Sequence, residues 1–176
     1  MAKVTLNKHI FLLGLPGSGK STLAIKMQET YGFQHKDLDI EIARESQTKI
    51  DTLWKNKGEC TFRSIERFCL LNLMTKEPFI LACGGGTPVY FNSMYLMQIG
   101  KCIYLNASPE VLVSRIENED RPMFKNADSI KTLYRLYLER RAIYERADFQ
   151  LDATKDPDEL CVLFFKLLTA NKLIYP

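Results

Sequence analysis

The eight residues Gly14-Leu15-Pro16-Gly17-Ser18-Gly19-Lys20-Ser21 constrain this chain more than any others. They spell G-x-x-x-x-G-K-S between an apolar run, Ile10-Phe11-Leu12-Leu13, and a helix-compatible run, Thr22-Leu23-Ala24-Ile25-Lys26-Met27. Such a loop has its meaning only with a strand before it and a helix after it, and both are present. The residue types follow from the chemistry. Glycines let the backbone turn its N–H groups inward around phosphate oxygens, and the helix start adds a positive dipole end. In that setting Lys20 reaches the β- and γ-phosphates of a nucleoside triphosphate, and the Ser21 hydroxyl faces Mg²⁺. The alternative is a Gly-rich turn that binds nothing. The loop points to a nucleoside triphosphate and leaves the acceptor open.

The rest of the chain alternates short apolar runs with longer amphipathic ones. Strands are expected at 9–13, 34–36, 79–82, 101–105 and 148–151. Helices are expected at 20–31, 38–45, 50–57, 61–74, 108–117, 129–146 and 157–171, with Gly32 as a stop and Gly58 as a break. Pro109 and Pro157 sit where first turns accept proline, with Asp156 as a cap. Strands alternating with helices imply an α/β fold: a three-layer sandwich around a parallel five-stranded sheet. With 176 residues the chain is expected to form one domain, 1–176.

Composition narrows the partners. A formal charge of +3 gives no concentrated basic face, so a nucleic-acid partner is not expected. No apolar run reaches membrane-spanning length, and Met1–Asn7 lacks a signal-like apolar core. The five cysteines are scattered without metal-ligand spacing, which reads as reduced, mostly buried thiols in a cytoplasmic protein. His9 and His35 show no catalytic spacing and are placed at strand edges.

Several smaller constellations bear on the acceptor. Asp37 and Asp39 flank Leu38 at a strand's carboxyl end, where open α/β sheets bind ligands. One could orient water on Mg²⁺ and the other accept a proton from an attacking hydroxyl. An Asp capping the next helix is the alternative. Arg63 and Glu66 share a helix face. They could form an anion clamp held by a carboxylate or, in isolation the simpler reading, an exposed ion pair. Gly84-Gly85-Gly86 ends a strand, and could bring backbone close to a ligand or form a plain turn. The polar stretch 118–128, with Arg121, reads as a mobile lid or an ordinary surface loop. Arg140 and Arg141 point about 100° apart on their helix, so one is expected to face inward.

In this order the residues resemble shikimate kinase, over about 10–168. The carriers are the loop Gly14–Ser21, Asp37-x-Asp39, Gly58-Glu59-x-x-Phe62-Arg63, Gly84–Gly86, Arg121-Pro122, and Arg140 four residues before Tyr144. The resemblance implies a P-loop kinase fold of the nucleoside monophosphate kinase type, with a substrate-binding helical segment near 38–66 and the lid at 118–128. It implies transfer of the γ-phosphoryl of ATP to the 3-hydroxyl of shikimate, with Mg²⁺, by a monomer. Gly14, Leu15, Pro16, Gly17, Ser18, Gly19, Lys20, Ser21 and Thr22 would hold the nucleotide, with Arg115 and Pro157 at the adenine. Lys20 and Arg121 would act on phosphates. Asp39 would meet the substrate hydroxyls as base or orienter. Arg63 and Arg140 would clamp the carboxylate, and Gly84, Gly85 and Gly86 would contact the substrate through backbone. Ser21 and Asp37 would serve the metal. Trp54 and Phe62 stand where the family places aromatics. Met123-Phe124 and Ala142-Ile143 depart from the family's usual residues. Another small-molecule P-loop kinase, such as a gluconate kinase, is the competing reading.

Overall fold

The structure, a computed structural model, describes residues 4–116 and 129–175. The stretch proposed as a lid, with Arg121, lies outside the described residues. In chain order the elements are β1 (Thr5–Leu6), β2 (Ile10–Leu13), α1 (Lys20–Tyr31), β3 (His35–Asp37), α2 (Leu38–Ser46), α3 (Ile50–Leu73), β4 (Ile80–Ala82) and α4 (Ser93–Leu96). A 3₁₀ turn (Met97–Ile99) follows, then β5 (Lys101–Asn106), α5 (Pro109–Ile116), α6 (Ser129–Tyr144), β6 (Phe149–Asp152), α7 (Pro157–Ala170) and β7 (Ile174–Tyr175).

Five strands form one parallel sheet in the order β3-β4-β2-β5-β6. Central β2 is apolar at every position and wholly buried, as a strand covered on both faces must be. Its register places Phe11 between Leu81 and Cys102. The chain steps from β2 to β3 in one direction and returns through β4 to β5 and β6 in the other. Right-handed crossovers then put α1 on one face and α2–α3 and α5–α6 on the opposite face. Helix α7 packs on α1, completing three layers. The reversal in strand order occurs beside β2, so its carboxyl end opens into a crevice, and the glycine-rich loop begins there.

Helix ends follow local chemistry. Gly32 stops α1 in a left-handed conformation, its N–H bonded to the Gln28 carbonyl at 2.9 Å. Asp156 caps α7 by accepting the Asp158 N–H at 2.8 Å, with Pro157 in the first turn. Along α7, Leu160, Cys161, Phe164 and Leu168 face the core. Phe164 and Leu168 are fully buried, each contributing about 1.5–3 kcal/mol. The two helices expected around Gly58 run together as α3, broken at that residue by φ 75°, ψ 171°. Strand β3 ends at Asp37 rather than Lys36, and β6 is shifted by one residue. The β1–β7 ribbon, α4 and the 3₁₀ turn were not expected; the ribbon pairs Thr5 with Tyr175 antiparallel. All five cysteines are free thiols, four buried and Cys60 exposed. Among the described residues no helix is long and apolar enough to cross a membrane.

Candidate active site

The loop from Gly14 to Gly19 joins β2 to α1 in a shape that requires glycine. Gly14 has φ 146°, and a Cβ there would lie 2.7 Å from both the Leu105 carbonyl oxygen and Ser18 Oγ. Leu15, Pro16 and Ser18 are buried and anchor the loop. Lys20 opens α1 and is 9 % exposed. Its Nζ donates to the carbonyls of Gly14 (3.0 Å) and Leu15 (2.9 Å) and to Ser18 Oγ (3.3 Å). The ammonium therefore lies across the mouth of the loop, where phosphate oxygens would bring their charge.

Beside this loop is a cavity of about 280 Å³. Gly17, Gly19 and Thr22 line one side, and Arg115, Ala153 and Pro157 another. Arg115 reaches over from α5 and donates to the Ala153 carbonyl at 2.8 Å, which fixes its guanidinium against the wall. The structure thus brings together Arg115 and Pro157, far apart in sequence. Lys155 also lines the cavity and had not been singled out; its only sequence signal was a place in the loop after the last strand of the sheet.

Asp37 sits where β3 meets α2 and uses both oxygens. Oδ1 accepts the Asp39 N–H at 2.9 Å, making Asp37 rather than Asp39 the cap of α2. Oδ2 accepts the Ser21 hydroxyl at 2.5 Å. Two oxygen donors from separate elements therefore meet at the phosphate end of the loop. Among the described residues no group of three or more His, Cys, Asp or Glu side chains could hold a metal. A Mg²⁺ held by one or two protein oxygens, phosphate and water suits the pair that is present. Asp39 is the second residue of α2 and is partly buried.

The three glycines after β4 are where the remaining parts converge. A Cβ on Gly84 would lie 3.0 Å from Glu66 Oε1 and 3.4 Å from Asp39 Oδ1. One on Gly85 would lie 3.0 Å from Arg140 Nη1 and 3.4 Å from Pro16 Cδ, so this loop also touches the phosphate loop. Gly86 passes directly against the Arg63 guanidinium, 2.5 Å from Nη2 to the position a Cβ would take. Only a residue without a side chain permits that approach.

Arg63 is not the exposed ion pair that helical spacing alone suggested. Its side chain is 7 % exposed and that of Glu66 is 4 %. Arg63 Nη1 donates to Glu66 Oε2 at 2.8 Å, and Glu66 Oε1 accepts the Thr87 hydroxyl at 2.6 Å. The guanidinium also lies near three rings: Tyr90 at 4.3 Å, Phe62 at 5.0 Å and Trp54 at 5.3 Å. Of the two adjacent arginines on α6, Arg140 is buried, while Arg141 is exposed and pairs with Glu145. The Arg140 guanidinium lies close enough to the Tyr144 phenol to pull its pKa down. Tyr144 is fully buried, stacks at a tilt on Tyr104, and donates to the Gly85 carbonyl at 2.5 Å. Burial pushes its phenol up to about 12, so it stays a donor at neutral pH. Thr87 and Tyr90 were missed by sequence reasoning; their one signal was closeness to the triple glycine.

This arrangement has counterparts among known proteins. A model of the shikimate kinase family matches residues 16–168. The chain is 33% identical over 158 residues to the shikimate kinase of Brucella canis, covering 88% of this chain and 78% of that protein. Shikimate kinase from Acinetobacter baumannii, solved in complex with shikimate, superposes with a TM-score of 0.87 at 27% identity, covering 94% of this chain and 95% of that one. The crystal structure of shikimate kinase from Bacteroides thetaiotaomicron gives a TM-score of 0.86 at 26% identity, covering 92% and 98%. With a family match across nearly all of a chain whose phosphate loop and glycine loop meet at one crevice, this chain belongs to the shikimate kinase family.

Proposed function

We propose that the chain performs its family's reaction at the crevice where these loops meet. The γ-phosphoryl group of ATP moves to the 3-hydroxyl of shikimate, giving shikimate 3-phosphate and ADP on the route to chorismate and the aromatic amino acids. The observation that carries this reading is at Gly85, where a Cβ would lie 3.4 Å from Pro16 Cδ of the phosphate loop and 3.0 Å from Arg140 Nη1. Donor and acceptor halves are therefore within one substrate's length of each other.

The roles follow from position. The backbone N–H groups of the Gly14–Thr22 stretch, apart from Pro16 which has none, cradle the phosphates, and Lys20 exchanges its loop carbonyls for phosphate oxygens. Arg115 and Pro157 border the cavity where the adenine fits. Magnesium, when bound with ATP, would supply charge neutralisation at the phosphates, and Ser21 and Asp37, which meet at that end of the loop, would hold it. Arg63 and Arg140 clamp the acceptor's carboxylate, and the glycine loop admits its ring to close range. Asp39 takes the hydroxyl's hydrogen bond and, as the oxygen attacks phosphorus, its proton. Arg121 serves the phosphates in this reading. All these residues come from one chain, so a monomer suffices.

The test is ADP release from ATP-Mg²⁺ with shikimate, gluconate and AMP offered separately. Shikimate alone should stimulate turnover; stimulation by gluconate or AMP without shikimate sinks the reading. Asp39→Ala should lower kcat by about 10²–10⁴-fold while ATP still binds. Near-parent turnover would remove Asp39 from its role.

A further inference from the structure

The Arg63 guanidinium is met by two carboxylates of very different character. Glu66 is buried, and both of its oxygens are committed, one to Arg63 Nη1 and one to Thr87. Glu59 is one turn earlier on α3, immediately after the break at Gly58, and its side chain is 46 % exposed. A single oxygen, Oε1, accepts from Arg63 Nε at 3.3 Å and from Nη2 at 3.4 Å. These contacts are long, and one atom serves two donors. The Nε–Nη2 edge of a guanidinium is built for two parallel bonds to the two oxygens of a carboxylate. Glu59 covers that edge without satisfying it.

Arg63 does not need Glu59 for its orientation. Glu66 holds Nη1 at 2.8 Å, three rings surround the cation, and Gly86 presses against its other atoms. Glu59 is half exposed and, besides the two long contacts to Arg63, meets only the Tyr90 phenol among the described residues, so side-chain rotation lets it leave.

We propose that Glu59 is an internal competitor for the acceptor's carboxylate, shielding the Nε–Nη2 edge of Arg63 in the empty site and swinging out when a carboxylate arrives that can take both bonds. The proposal rests on the reading of Arg63 as the carboxylate clamp. It makes recognition of the acceptor an exchange of one anion for another. An anion offering one oxygen gains nothing over Glu59, whereas a rigid ring carboxylate placed by Arg140 and the glycine loop does. Selectivity arises from what must be displaced as well as from what is newly bonded.

Trp54 is the chain's single tryptophan and lies 5.3 Å from Arg63, so its fluorescence can report shikimate binding directly. Glu59→Gln, which keeps size and removes charge, should lower the Kd for shikimate by about two- to fivefold, the range an exposed ion pair is worth. Glu59→Ala should act in the same direction, and neither should move the KM for ATP. Arg63→Lys keeps a cation for buried Glu66 but loses the fork, and should raise the shikimate Kd about tenfold or more. In that background, adding Glu59→Gln should lose most of its effect. An unchanged or raised Kd in both Glu59 variants, with Arg63→Lys still weakened, overturns the competitor and leaves the clamp standing. An unchanged Kd in Arg63→Lys overturns the clamp itself.

Discussion

Gly86→Ala adds one methyl group at the most crowded point of the site. The new Cβ would lie 2.5 Å from Arg63 Nη2 and 2.7 Å from both Cζ and Nη1, whereas ordinary contact begins at 3.4 Å. The guanidinium must therefore retreat by about 0.9 Å. An arginine tip on a surface would do so freely. This one is enclosed by Tyr90, Phe62 and Trp54 and tied at 2.8 Å to a buried carboxylate. The backbone at Gly86 lies outside the left-handed region, so alanine brings no strain of its own. Overpacking of this kind costs about 1–3 kcal/mol, and a displacement near 1 Å at a reacting site can cost about 10²-fold. We expect kcat/KM for shikimate to fall about ten- to hundredfold, with the KM for ATP unchanged. Initial rates of ADP release at varied shikimate measure the first quantity, and varied ATP the second. A thermal melt should show a loss of about 3–10 °C at most, separating repositioning from unfolding. Gly85→Ala, where the nearest atom is Arg140 Nη1 at 3.0 Å, should be milder. A Gly86→Ala enzyme within about twofold of the parent would refute the claim that the Arg63 guanidinium is rigidly held.

Two further outcomes follow from buried polar groups. Tyr144→Phe removes the hydrogen bond to the Gly85 carbonyl and should cost about 1–2 kcal/mol of stability in urea unfolding. It should also raise the KM for shikimate more than that for ATP; equal effects on both would argue that Tyr144 acts only on the fold. His9 is buried with Nε2 against the Met74 carbonyl and its Nδ1 without a partner. Burial lowers its pKa below the ordinary 6.5, against the opposing pull of the Met74 and Lys76 carbonyls. Below pH 6.5 the unfolded chain therefore takes up the proton before the folded one, so stability is full above 6.5 and declines on acidification. His9→Gln should flatten the fall in urea midpoint between about pH 7 and 5.5, and parallel curves would dismiss the histidine as its source.

What the sequence revealed and what it hid divide along contact distance. The phosphate loop was legible because its strand, turn and helix are contiguous and each residue type answers a local requirement. The same holds for Gly32, Asp156 and the break at Gly58. Arg63 and Glu66 were legible as a pair but not as a buried one. Their burial depends on Gly86, Thr87 and Tyr90, which follow β4 and come back onto α3 only in the folded chain. Asp37 and Asp39 looked interchangeable, because either can cap a helix. Only the strand's extension to Asp37 assigns the cap to the first and places the second inside the helix. The β1–β7 ribbon had no signal at all: two residues at each end of the chain carry no periodicity, and their pairing exists only once the rest has folded. Roles at the site came from the order of motifs along the chain and from likeness to a family. Composition contributed only expectations about partners, from a net charge of +3 without a basic cluster.

The central sheet also ends in a telling way. Its outer strands are short, β3 with three residues and β6 with four. The first reads His35-Lys36-Asp37 and is only partly buried; the second alternates Phe149 and Leu151 with exposed Gln150 and Asp152. An open parallel sheet leaves unpaired N–H and C=O groups along both borders, a template on which other chains can assemble. Brevity limits how many such bonds a stranger could form, and charged side chains make each one costly to dry. The same Asp37 that meets Ser21 at the phosphate loop thus stands on a border of the sheet, where its charge also discourages a sixth strand. One side chain guards a sheet edge and meets a hydroxyl in the first turn of the helix after the phosphate loop.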